Sequence, residues 1–114
     1  MKEDLICSKN QEIAKFMGLV PSTNNSNPPT KNDFVMDSYG TNINLLALSY
    51  NTDWNKIMEV GEHIKLNADK LPSQYVSDMT KAFAEINIED AYEAISKIAG
   101  WYNWQANIKL RADK

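Results

Sequence analysis

The chain has 114 residues, which is typical of one domain, and its twelve basic and fifteen acidic residues give a net charge of −3. Arg111 is the only arginine, so the composition offers no electrostatic surface for a nucleic-acid backbone. The longest apolar stretch, Leu45-Leu46-Ala47-Leu48, is far shorter than the ~20 residues of a membrane-spanning helix. We therefore expect a globular domain with neither nucleic acid nor membrane as its partner.

The amino-terminal segment indicates a reducing compartment. Cys7 is the only cysteine, so no intrachain disulfide can form. The apolar run that contains it, Leu5-Ile6-Cys7, is too short for the hydrophobic region of a signal peptide. We expect a cytoplasmic protein in which Cys7 is a small, half-buried apolar residue.

Capping signals predict a first helix and a loop after it. Ser8 followed by Gln11 forms a capping box, and Gly18 supplies a left-handed stop, which together predict a helix over residues 9–17. Residues 21–33 contain no apolar side chain except proline and are rich in turn formers. We interpret this segment as a mobile surface loop.

The next two segments predict a hairpin. Residues 34–39 and 43–50 favour strands, and Gly40-Thr41-Asn42 between them is a turn of hairpin length. The second strand is apolar on both faces around residues 45–48, which indicates that helices cover both sides of the sheet there.

Three helices complete the predicted order. Thr52 caps a helix that runs to about Leu66, Ser73 begins the next, and Asn87 with Asp90 caps the last. The apolar stripe of the first of these is Trp54, Ile57, Met58, Gly61 and Ile64, and that of the last is Ile88, Ala91, Tyr92, Ile95, Ala99 and Tyr102. We predict an α+β fold with a small antiparallel sheet layered between helices, in the order α-β-β-α-α-α. Residues 1–114 form a single domain, with residues 105–114 as a carboxy-terminal tail.

Residue types that carry chemistry are few. His63 is the only histidine and the chain has four glycines, which excludes multi-histidine metal sites and the glycine-rich phosphate loops. The acidic cluster of Glu85, Glu89, Asp90 and Glu93 lies near a helix amino terminus and is expected to be solvated. We expect no catalytic residue, metal or cofactor, and so no enzyme. A hydrolase built on Glu59 and His63 is the weakest alternative.

Trp101 and Trp104 are the candidate partner-binding residues. They lie three positions apart and both project away from the apolar stripe of the last helix. They either form a second core layer or contact a partner, since tryptophan is enriched among the residues that dominate interface energy.

Three stretches of the sequence together form a recognisable pattern. They are Ile13-Ala14-Lys15-Phe16-Met17-Gly18, Ser49-Tyr50-Asn51-Thr52-Asp53-Trp54-Asn55-Lys56-Ile57-Met58-Glu59-Val60, and Ile88-Glu89-Asp90-Ala91-Tyr92 running on to Trp101-Tyr102-Asn103. These stretches resemble the phage ABA sandwich domain, a family of small phage and prophage proteins. The chain departs from the family pattern at Asn51, where relatives often have histidine, and at Glu59, in a segment where they have proline. The resemblance implies a helix, sheet, helix layered fold of viral or mobile-element origin and no established activity.

Two functions of different classes follow. The first is a non-enzymatic phage- or prophage-encoded accessory protein that binds a host or viral protein, or a second copy of itself, in the bacterial cytoplasm. The alternative is a binder of a small polar metabolite or signalling nucleotide that uses aromatic side chains for stacking. A deep polar pocket would favour the binding of a small molecule, and a flat aromatic patch would favour the binding of a protein.

Overall fold

The computed structural model describes residues 3–112, and the side chains of residues 3–109. Four α-helices and a three-stranded antiparallel sheet confirm the predicted α+β class, and one short strand is added to the predicted order. The elements are α1 (Glu3–Phe16), β1 (Val20–Pro21), β2 (Phe34–Met36), β3 (Asn42–Asn44), α2 (Trp54–Leu66), α3 (Ser73–Ala84) and α4 (Ile88–Ala112). Residues 1, 2, 113 and 114 of the predicted domain lie outside the described residues.

Helix α1 begins earlier than predicted and ends at Phe16, one residue before the predicted end. Ser8 lies inside the helix, so the capping box placed there is wrong. Glu3 and Asp4 in the first turn supply the negative charge that a helix amino terminus favours. At the other end Gly18 has a φ of +93°, and its N–H donates to the carbonyl of Lys15 in a left-handed stop.

The sheet is smaller than predicted because β3 ends at Asn44. The hairpin is antiparallel with Val35 opposite Ile43, and Gly40 in the turn has a φ of +81°. The side chain of Asn44 accepts the N–H of Leu46, and Leu46–Leu48 wind into a 3-10 helix. The prediction of strand through residue 50 is therefore wrong.

Helix covers only one face of the sheet. Val35 is fully buried, whereas its neighbours Phe34 and Met36 point to the opposite face and are each 40% exposed. Val20, which is paired with Met36 on β1, is 59% exposed. The covering on both sides predicted from residues 45–48 is absent at the strands, because that apolar segment turns away from the sheet.

The loop predicted over residues 21–33 is organised by side-chain hydrogen bonds. The buried carboxylate of Asp33 accepts the N–H groups of Ser26 and Thr30 at 3.0 and 2.8 Å. The Asn25 side chain donates to the Phe34 carbonyl and accepts the Phe34 N–H. These contacts define the path of the loop across the end of β2, and its mobility stays a prediction.

The helix boundaries of the second half are mostly confirmed. Helix α3 begins at Ser73, and Asn87 caps α4 by accepting the N–H of Asp90 at 3.1 Å. Helix α2 is capped by Asp53 rather than by Thr52. In the predicted apolar stripe of α2, Met58 is exposed, whereas Val60, which was not in that stripe, is buried. Helix α4 runs to residue 112, so residues 105–112 of the predicted tail are helical.

A buried polar network ties α1 to α4 and to the 3-10 segment. The Asn10 side chain is completely buried and donates to the carbonyl of Leu45 at 2.8 Å. The Tyr92 hydroxyl donates to Asn10 Oδ1 at 2.8 Å and lies 3.1 Å from the carbonyl of Ile6. Because every polar atom in this network has a partner, it fixes the position of α1 along α4.

Candidate partner-binding site

Helix α4 is longer than each of the helices that pack against it. Its 25 residues span about 37 Å, whereas the 12 residues of α3 span about 18 Å. The Lys97 ammonium lies 4.6 Å from the ring centroid of Tyr75, near the start of α3. On the α1 side, the Asn103 side chain donates to the carbonyl of Glu12 at 2.9 Å. Beyond these contacts, residues 106–109 of α4 are all exposed.

One face of α4 can be followed along this length. Positions separated by steps of four and three residues lie along one side of an α-helix. We call these positions the α4 seam, and they are Asp90, Ala94, Lys97, Trp101, Trp104 and Ile108. The seam is polar in its first half and apolar in its second half.

The polar half of the seam forms the floor of a cleft between α1 and α3. The cleft has a volume of about 700 Å³. Its walls come from Ser8, Lys9 and Glu12 of α1 and from Asp78, Lys81, Ala82 and Glu85 of α3, and its floor from Asp90, Glu93, Ala94, Ser96 and Lys97. Carboxylates outnumber lysines in this lining. Lys9 forms an ion pair with Glu93, which leaves an excess of negative charge along the cleft.

The two predicted tryptophans both lie in the apolar half of the seam, but they differ in exposure. Trp101 is partly buried and packs against the hydrophobic core. Trp104 is 56% exposed, and Ile108, one turn further along the same face, is 41% exposed. Sequence reasoning missed Ile108 because residues 105–114 were read as a tail. The heptad spacing from Trp101 through Ile108 was the signal that could have identified it.

A second, smaller depression lies near Asn51, a position at which the chain departs from the family pattern. It has a volume of about 560 Å³ and is lined by Ile6, Asn51, Glu89, Asp90, Tyr92 and Glu93. Burial, and then the negative charge of Glu93, raise the pKa of the Tyr92 phenol. The phenol is therefore neutral at physiological pH and acts as the hydrogen-bond donor to Asn10.

His63 and Cys7, the other residues considered for chemistry, lie in packed surroundings. His63 packs edge-on against Phe16, with ring centroids 4.8 Å apart. Burial raises the pKa of the Cys7 thiol, an effect opposite to that which activates a nucleophilic cysteine. Over residues 3–112 no cluster of three or more histidine, cysteine or carboxylate side chains could hold a metal ion. In the same range, none of the helices has both the length and the apolar character needed to cross a bilayer.

Comparison with protein-family models, with curated proteins and with solved structures finds no match to this chain. The resemblance to the phage ABA sandwich domain therefore stays a prediction. Function has to be inferred from the geometry of the α4 seam and of the cleft beside it.

Proposed function

We propose that this chain is a non-enzymatic accessory protein of a phage or prophage that acts in the bacterial cytoplasm by binding another protein through the α4 seam. The partner is a host protein, a viral protein or a second copy of the chain. One observation carries the proposal: Trp104 and Ile108 are both exposed, one turn apart on the same face of α4, in a part of the helix where residues 106–109 are all exposed.

The energetics of exposed tryptophan support this assignment. An indole offers a large apolar area and loses little conformational entropy on docking, so exposed tryptophans are favoured anchors of protein interfaces. Ile108 extends the same surface by one helical turn. A monomer would gain nothing by holding both side chains in water, whereas a docked partner would bury them.

The test is affinity capture of the tagged full chain from infected cells, with Trp104→Ala compared against Tyr39→Ala. Tyr39 is a matched control because it is an aromatic residue, 92% exposed, at the tip of the hairpin. We expect a specific partner to be captured by the parent chain and by Tyr39→Ala, and to be lost with Trp104→Ala. A partner that is retained equally by both variants would contradict binding through the seam.

The cleft supports a second candidate function, the binding of a small polar metabolite or signalling nucleotide. Its volume of about 700 Å³ falls within the range of ligand sites, and three lysines line it. Ligand pockets are usually lined mainly by apolar side chains, however, and this lining is mainly charged, which favours protein binding. Mass spectrometry of small molecules retained by the purified chain tests the alternative, with Lys81→Ala compared against the exposed Lys65→Ala outside the cleft. A retained metabolite lost only with Lys81→Ala would establish it.

A further inference from the structure

We propose that the α4 seam binds a segment of another protein that carries lysine or arginine side chains at one end and an apolar anchor at the other. The basic side chains of this segment lie in the cleft between α1 and α3, and its anchor covers Trp104 and Ile108. This inference rests on the proposed function, because it names the chemistry of the partner that the seam binds.

The cleft and the exposed apolar residues lie along one line of α4. Successive residues of an α-helix turn by about 100°, so the six residues of the α4 seam all lie within about 40° of that line. A rise of about 1.5 Å per residue places Trp104 about 21 Å, and Ile108 about 27 Å, from Asp90. One segment that follows the seam for about 20 Å therefore contacts the cleft and the exposed indole together.

Most carboxylates of the cleft have no cationic partner. Five carboxylates and three lysines line it. Lys9 forms an ion pair with Glu93, and the Lys97 ammonium lies 4.6 Å from the ring centroid of Tyr75, which leaves Lys81 as the third lysine. Among residues 3–109, no ion pair involves the other four carboxylates of the lining, which are Glu12, Asp78, Glu85 and Asp90. A cationic segment would supply the charge that these groups lack.

The charges at the two ends of the seam determine the direction of the bound segment. Glu85 and Asp90 are exposed and lie at the end of the cleft furthest from Trp104. At the other end of the seam, the exposed Lys109 follows Ile108 directly. A segment whose basic end lies over the two carboxylates brings unlike charges together and keeps that end away from Lys109.

This distribution of side chains is typical of a protein interface. A partly exposed tryptophan serves as the anchor that dominates binding energy, whereas charged groups around it steer the approach of the partner and fix its orientation. An acidic segment in the same place would bring like charges to the unpaired carboxylates of the cleft. A small metabolite bound in the cleft would leave Trp104 and Ile108 in water.

Selection of a random library of displayed peptides against the immobilised full chain tests the chemistry of the partner. Peptides of about 16 residues are long enough, since they span about 24 Å as a helix. We expect the enriched peptides to carry net positive charge and to have their apolar residues clustered at one end. A library that yields no enriched peptide, or one whose enriched peptides are neutral or acidic, would overturn the inference.

Affinities of the enriched peptides, made synthetically, test the contacts. We expect at least tenfold weaker binding to Trp104→Ala, and at least threefold weaker binding with a smaller salt dependence to the double variant Glu85→Gln, Asp90→Asn. Tyr39→Ala and Glu62→Gln are the matched controls, since Tyr39 is exposed at the hairpin tip and Glu62 is an exposed carboxylate on α2 outside the cleft. All variants should melt at similar temperatures. Equal affinity for the parent and for the double variant would overturn the role of the cleft.

Photo-crosslinking to the same peptides tests their direction. Benzoylphenylalanine is placed at Lys81 in the cleft or at Lys109 beside Ile108, one position at a time. We expect links from position 81 to the basic end of the peptide and from position 109 to its apolar end, and the reverse pattern would overturn the proposed direction. If the peptides fail these tests while a captured cellular partner still depends on Trp104, the proposed function stands and only the chemistry of its partner fails.

Discussion

Removing either side of the Asn10–Tyr92 hydrogen bond should destabilise the fold, and by coupled amounts. Tyr92→Phe deletes the donor and leaves buried Asn10 Oδ1 without a partner, which should cost about 1–3 kcal/mol. Asn10→Ala leaves the Leu45 carbonyl unpaired and opens a small cavity, so we expect a loss of about 2–4 kcal/mol. The Tyr92 hydroxyl keeps the Ile6 carbonyl as a second acceptor in that variant.

The two changes should not add. In the double variant the Asn10 acceptor and the Tyr92 donor are both gone, so no orphan is left between them. We expect a coupling free energy of about 1–2 kcal/mol in a double-mutant cycle. Urea unfolding of the four proteins at pH 7 and 25 °C measures it. A coupling below about 0.3 kcal/mol would refute the view that this hydrogen bond fixes α1 against α4.

Three further changes test individual contacts. Gly61→Ala would place a methyl carbon 2.6 Å from a ring carbon of Phe83, so it should cost about 1–3 kcal/mol by chemical denaturation, with partial recovery when Phe83→Leu is added. Burial, and then the negative charge of Glu59, raise the pKa of Tyr50 from 10.0 to about 12. The neutral phenol therefore stabilises the fold fully below pH 10, and this stabilisation is lost as the pH rises from 10 to about 12. Tyr50→Phe should reduce that alkaline loss by roughly 2–3 kcal/mol in unfolding measured across pH 9–12. Trp101→Ala should lower the free energy of unfolding by about 2 kcal/mol because Trp101 packs on the core, whereas Trp104→Ala should change it by less than about 0.5 kcal/mol. The contrary results are an unchanged stability for Gly61→Ala, an unchanged alkaline profile for Tyr50→Phe, and equal effects of the two tryptophan variants.

Local signals explain which elements were predictable from the sequence. Ser73 is the first residue of α3, as predicted, although no side chain caps that helix. Asn87 marks a helix start that the structure confirms, because its side chain accepts an N–H of the first turn. The hairpin was predictable for the same reason, since Gly40 supplies the positive φ that its turn requires. Thr52 and Asp53 are both good caps, and the sequence could not decide between neighbouring candidates.

The errors arise where specific contacts decide the structure rather than the apolar pattern. The apolar run Leu46–Leu48 was assigned to a strand, but the Asn44 side chain accepts the Leu46 N–H and starts a helical turn. The two-residue strand β1 exists only because β2 pairs with it, so its own sequence contains no signal. Likewise, a polar residue at Asn10 hides the buried face of α1 from any count of apolar spacing.

The stability of the exposed end of α4 depends on what packs against it. The last turns of a helix that nothing packs against fray readily in water, because their terminal carbonyls have no partner within the helix. Trp104 and Ile108 are poor choices for a solvated extension but good choices for a helix that is covered when assembled. Amide hydrogen exchange of residues 104–109 should therefore be fast in the isolated chain and should slow at least tenfold when the captured partner is bound. Slow exchange in the isolated chain would mean that this segment is stabilised without a partner, and the argument that it needs one would fail.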